Sequence, residues 1–112
     1  MQLPSEVVVG PFTYAVLSDE LAAAKAKADS ESIDNVGLHD SAKQTITVDP
    51  AQGPDSLAST VLHEVLHAIW YGVGLQESDA KEQEERVVSA ITHPLLDTLR
   101  RNPDLVKYLT RG

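Results

Sequence analysis

The sequence has no cysteine. That absence removes disulfides, thiolate-held zinc and thiol nucleophiles together, so any metal site must be built from His, Asp and Glu. Basic residues are few: nine Lys and Arg against 17 Asp and Glu give a formal net charge of −8 and a pI near 4.7. With no basic stripe to offset that charge, phosphate backbones are repelled and no nucleic-acid partner is expected. Long apolar runs are missing too. None approaches the roughly 20 residues that cross a bilayer. The opening MQLPSEVVVG has neither the basic flank nor the apolar stretch of a secretory signal. No membrane partner and a cytoplasmic location are the expectations that follow.

What is present is ordinary globular material. Hydrophobic residues make up 42% of 112 residues, which suits one domain over residues 1–112 with a modest core. Residues 6–17, EVVVGPFTYAVL, predict one or two short strands with a kink or bulge at Gly10-Pro11 and Tyr14 in the core. Ser18 reads as an N-cap before Asp19, Glu20 and an alanine-rich run, a helix over 19–28. Polar residues 29–35 form a loop. Residues 36–49, VGLHDSAKQTITVD, read as a β-hairpin turning at Asp40-Ser41-Ala42-Lys43. Ile46 and Val48 face inward, and the arm at 44–49 is the expected edge strand.

Pro50 to Pro54 breaks that pattern. Leu57, Val61, Leu62, Val65, Leu66, Ile69 and Val73 then recur at helical spacing, predicting a helix over 54–73 that Gly72 and Gly74 stop. After a loop at 75–78, a second long helix is expected over 79–101. Val87, Val88, Ile91, Leu95, Leu96 and Leu99 are its apolar positions, with a kink at His93-Pro94. Asn102 reads as the N-cap of a last short helix that begins at Pro103 and runs through Leu109.

The chemistry is concentrated in residues 60–72, TVLHEVLHAIWYG, where His63-Glu64-Val65-Leu66-His67 is an HExxH pentad. On a helix, four residues turn about 400°, so the two imidazoles lie one above the other on one face. That spacing lets both reach a single Zn²⁺, with Glu64 one step round as general base on a metal-bound water. A catalytic zinc takes a third protein ligand and keeps one position open. The longer HExxHxxGxxH pattern does not supply it, because position 70 is Trp and position 73 is Val. His93, beside its proline, reads as a surface residue. The acidic run Glu82-Gln83-Glu84-Glu85 would return alongside the first helix. Glu82 points away. Glu84 shares a face with Val87, Val88 and Ile91 and is slightly favoured by angle; geometry alone leaves Glu84 and Glu85 both open.

In the HEVLH pentad within an apolar helix, the ITVD strand before it and the acidic helix after it, residues 36–99 resemble the minimal zinc metallopeptidases (zincins). That group includes the ImmA/IrrE-type and related phage-encoded peptidases. HEVLH stands here in place of a glycine-containing HExGH pentad, and no DNA-binding or sensor domain is expected within these 112 residues. The resemblance implies an α+β fold, a zincin-like core in which a small, mainly antiparallel sheet packs on the active-site helix and a second long helix. It also implies a glutamate as third ligand, followed by a small and then a polar residue at three and four positions. Glu85 with Val88 and Ser89 fits that pattern, so Glu85 is expected to join His63 and His67, with Glu84 as the alternative. The implied activity is zinc-dependent hydrolysis of a peptide or protein substrate, which could pair with the edge strand by strand addition. Tyr71, one turn after His67, and His39, on the first hairpin arm, are the candidates for an oxyanion donor. The competing expectation is a zincin-like domain whose zinc is structural or serves partner binding, marked by a fourth protein ligand. Glu64 weighs against it, because a structural site needs no base.

Overall fold

The computed structural model describes residues 3–18, 37–72 and 81–111. The helix expected over 19–28, the loop over 29–35, Val36 of the second hairpin, Val73 and the helix stop at Gly74, the loop at 75–78 and the first two residues of the second long helix lie outside the described residues. Strands β1 (Glu6–Val9) and β2 (Phe12–Ser18) pair antiparallel with Val9 opposite Phe12. Gly10 and Pro11 are therefore the two residues of a hairpin turn, not a kink or bulge inside a strand. Gly10 takes φ 58° and proline holds the next φ near −65°, a combination that suits a type II′ turn.

β3 (Gly37–Asp40) and β4 (Thr45–Val48) form the second hairpin. The Lys43 N–H donates to Asp40 Oδ1 at 3.0 Å, and Gln44 adopts a left-handed φ of 53°, so the turn closes one residue later than the sequence suggests. β4 then pairs in parallel with β2, from Ala15 opposite Thr45 to Ser18 opposite Val48. The sheet is mixed, in the order β1-β2-β4-β3. This corrects the expected edge. The arm at 44–49 is interior, with a ladder on each side and Ile46, Thr47 and Val48 all buried, and the outer strand is β3, which is mostly half-buried.

Alternation puts Tyr14 and Val16 of β2 on the same face as Ile46 and Val48 of β4. Tyr14, Ile46 and Val48 are 0% exposed. They form the core with Val9 and Ala68, and Leu57, Val61 and Val65 pack against it. The last four residues belong to α1 (Pro54–Gly72), whose buried residues Thr60, Glu64 and Ala68 recur every fourth position and face the sheet. Gln52 ties down the helix start: its Oε1 accepts from Ser56 Oγ at 2.7 Å and Thr60 Oγ1 at 2.8 Å, while its Nε2 donates to the Asp49 carbonyl at 2.8 Å.

α2 (Lys81–Arg101) covers the other side of α1 and packs against no strand among the described residues. It runs antiparallel to α1, since its end meets the α1 start through Arg100 and Asp55 at 2.9 Å. The helix continues through Pro94 without a break in its assignment. Its inward residues are Val88 and Thr92, at 1% and 2% exposure, whereas Val87 and Ile91, expected inward, are 40% and 42% exposed. α3 (Pro103–Thr110) packs on α2. Asn102 does not cap it with its side chain; Nδ2 donates back to the Thr98 carbonyl at 2.7 Å. No helix among the described residues is long and apolar enough to cross a membrane.

Candidate metal centre

Because α1 lies between the sheet and α2, neighbouring residues of the pentad face different partners. His63 and His67 turn toward α2. Glu64 turns toward β3. The two histidines lie one helical turn apart, as the spacing predicts, and their Nε2 atoms are 3.2 Å apart. Glu85 reaches up from the start of α2 with both oxygens: Oε1 is 3.1 Å from His63 Nε2 and Oε2 is 2.8 Å from His67 Nε2. One ligand atom from each of His63, His67 and Glu85 falls within 4.8 Å of the others. Ligands held about 2.0–2.2 Å from a tetrahedral zinc stand roughly 3.3–3.5 Å apart. The separations here are close to that and slightly tighter.

The chemistry of the donor set fits a cation. His67 Nδ1 meets Glu84 Oε2 at 2.5 Å, and a carboxylate partner makes that nitrogen the N–H bearer. The Nε2 of a neutral His67 is then a lone pair, and it points at a carboxylate oxygen 2.8 Å away and a second imidazole nitrogen 3.2 Å away. Converging acceptors repel one another unless a proton or a metal ion lies between them. Two imidazoles and a carboxylate are a zinc donor set. Burial lowers the proton affinity of His63 below the ordinary histidine value, with Glu85 opposing and His67 adding to the fall. A neutral imidazole is the form that ligates. Ser89 Oγ donates to Glu85 Oε1 at 3.1 Å and steadies that carboxylate.

Glu64 is the buried member, only 5% exposed. Strand β3 comes close enough to enclose it because residue 37 is glycine. A Cβ there would lie 2.6 Å from Thr60 Cγ2 and 3.1 Å from both Cγ and Oε2 of Glu64. Burial pushes the Glu64 carboxyl up to about 7, against the pull of His67; Glu85 adds to the rise, and a hydrogen bond from the His39 backbone N–H opposes it. A carboxylate so placed is a proton acceptor near neutrality. The His39 ring is fixed in turn. Its Nε2 and the hydroxyl of buried Tyr14 are 3.1 Å apart, and the Tyr71 ring centroid lies 6.2 Å from its own. Burial and the nearby His67 lower the His39 pKa, with Glu84 and Asp40 opposing.

The structure thus brings His63, His67 and Glu85 together, with Glu64 on the adjoining side of α1 that faces β3. It puts Glu84 against His67 Nδ1, away from the convergence point, and leaves Glu82 exposed on the first turn of α2. Tyr71 and His39 share one wall with Phe12, whose ring centroid is 6.2 Å from that of Tyr71. His93 is exposed, as expected, yet near enough for its charge to be felt at His63. Two features escaped the sequence. Gly37 matters because of what crosses over it, and no motif marks that. The Glu84 contact was visible only as a rival for the ligand role. Compared with known proteins, the chain matches no family model, no curated protein and no solved structure.

Proposed function

We propose that the protein is a zinc-dependent metallopeptidase of the minimal zincin kind. His63, His67 and Glu85 hold the ion, and Glu64 is the general base. The observation that carries this reading is the convergence of two Nε2 atoms and one carboxylate within 4.8 Å, one residue away from a buried carboxylate. Bound zinc in such a set supplies Lewis acidity toward water and toward a carbonyl oxygen.

The chain's own residues do the rest. Glu64, oriented by the His39 N–H, takes the proton from the attacking water and delivers it to the leaving amine. An extended peptide pairs along β3, one of the two outer strands of the described sheet and the one beside Glu64. His39 commits its Nε2 to Tyr14, so Tyr71 is the better candidate for a second donor to the carbonyl oxygen.

Three side chains form the group among the described residues, and that count favours an open coordination position over a closed structural one. Glu64→Gln tests the reading. The variant should retain zinc and lose peptide hydrolysis by about 10²–10⁴-fold, the usual contribution of a positioned general base. Cleavage at the parent rate by Glu64→Gln would overturn it. Zinc binding with no cleavage by the parent chain would favour the partner-binding alternative.

A further inference from the structure

Glu84 and Glu85 are consecutive, and they engage opposite flanks of one imidazole. Glu85 Oε2 lies 2.8 Å from His67 Nε2, and Glu84 Oε2 lies 2.5 Å from His67 Nδ1. Their surroundings differ as much as their targets. The Glu85 side chain is 59% exposed and the Glu84 side chain 19%. A hydrogen bond shielded from water holds its geometry better than one in it. Glu84 also lies one turn before buried Val88 and two before buried Thr92, on the stripe by which α2 packs against α1. Its carboxylate is therefore held by the helix interface itself.

We infer that Glu84 is the positioning residue of the centre: by accepting the His67 Nδ1–H it fixes the tautomer and ring angle that aim the Nε2 lone pair at His63 and Glu85. This rests on the metal-site reading of the triad and adds to it a division of labour between two adjacent carboxylates. Glu84 is not a second-choice ligand. Its oxygen lies on the far side of the ring from the point where the ligand atoms meet. A partner of this type raises the basicity of the ligating nitrogen and keeps the ring from rotating out of line, and its loss typically costs 10–100-fold in metal affinity. The contact uses no metal, so it orients His67 in the empty protein as well as in the loaded one.

Histidine tautomers are read by long-range ¹H–¹⁵N correlation on the ¹⁵N-histidine-labelled chain, and zinc affinity by competition with a chromophoric chelator. In the metal-free parent, His67 should be the Nδ1–H tautomer. Glu84→Ala should release it toward the Nε2–H form and lower zinc affinity about 10–100-fold while keeping about one zinc per chain. Glu84→Gln keeps a neutral acceptor and the side-chain shape. It should hold the tautomer and recover part of the affinity, and it guards against a fold defect in the alanine variant. A His67 whose Nδ1 carries no proton in the parent, or a protonation pattern and affinity unmoved in Glu84→Ala, would overturn the inference. So would loss of all zinc in both Glu84 variants with none lost in Glu85→Ala, which would make Glu84 the ligand. If the parent takes up no zinc, the metal-site reading fails, yet the tautomer of the metal-free protein still decides the role of Glu84.

Discussion

On the side facing the sheet, α1 buries Thr60, Glu64 and Ala68, and Ala68 joins Tyr14, Ile46 and Val48 in the hydrophobic core. On the side facing α2, the same helix offers His63 and His67 to Glu84 and Glu85, with Val88 and Thr92 the buried residues of the partner. One interface carries the hydrophobic core. The other holds the titratable His63, His67, Glu84 and Glu85, with no apolar cluster of comparable size among the described residues. The difference explains why the base and the ligands can have different requirements on one helix. Glu64 lies on the side that packs against the sheet, while the proposed ligand set spans the side that faces α2.

If that division holds, core damage and site damage should separate. Ile46→Ala, at a fully buried position, should cost about 2–5 kcal/mol by chemical denaturation, with or without zinc. A cost that appears only in the zinc-loaded protein would erase the distinction between the two interfaces.

Gly37→Ala probes the seam between them. The new Cβ meets Thr60 Cγ2 at 2.6 Å. Thr60 cannot turn aside without giving up its 2.8 Å bond to Gln52. The strand must lift, taking the His39 N–H from Glu64. Overpacking of this kind costs about 1–3 kcal/mol. The turnover number should fall more than zinc affinity does; a fall in zinc affinity alone would place Gly37 on the ligand side instead.

Glu64→Gln gives a smaller effect with a defined sign in the metal-free chain. Burial pushes the folded carboxyl up to about 7 from the ordinary 4.5, so the native state binds its proton more tightly than the unfolded state does. The associated stability is fully present below about 4.5 and is lost as pH rises through 7. Gln carries no such loss. At pH 8 the metal-free variant should therefore be more stable than the parent by on the order of 1–3 kcal/mol, with the gap closing toward pH 5. A gap independent of pH would mean that burial is not what perturbs Glu64.

Much of this was legible in the sequence. The pentad sits on its helix, Ile46 and Val48 face inward, Tyr14 is core, the helix expected from 54 begins there, and the helix over 103–109 appears within a residue of its expected ends. Each of those follows from local periodicity and stop signals. Strand order did not follow, because alternation says which way a side chain points and not which strand lies alongside; β4 entered the sheet beside β2 and left β3 outside. The inward face of α2 was misjudged by about one position. Val87 and Val88 are adjacent, and only packing against α1 selects Val88. That shift also explains the two glutamates. Angle favoured Glu84 because it is the deeper residue, and it is. The proposed ligand, however, is the more exposed Glu85, whose carboxylate lies 3.1 and 2.8 Å from the two Nε2 atoms.

The central claim is that His63, His67 and Glu85 hold one zinc ion. Elemental analysis of the purified chain after zinc loading and gel filtration, run beside His63→Ala, tests it most directly. About one zinc per chain in the parent and none in His63→Ala is the expected result. Full occupancy in His63→Ala, or no zinc in the parent, would contradict it.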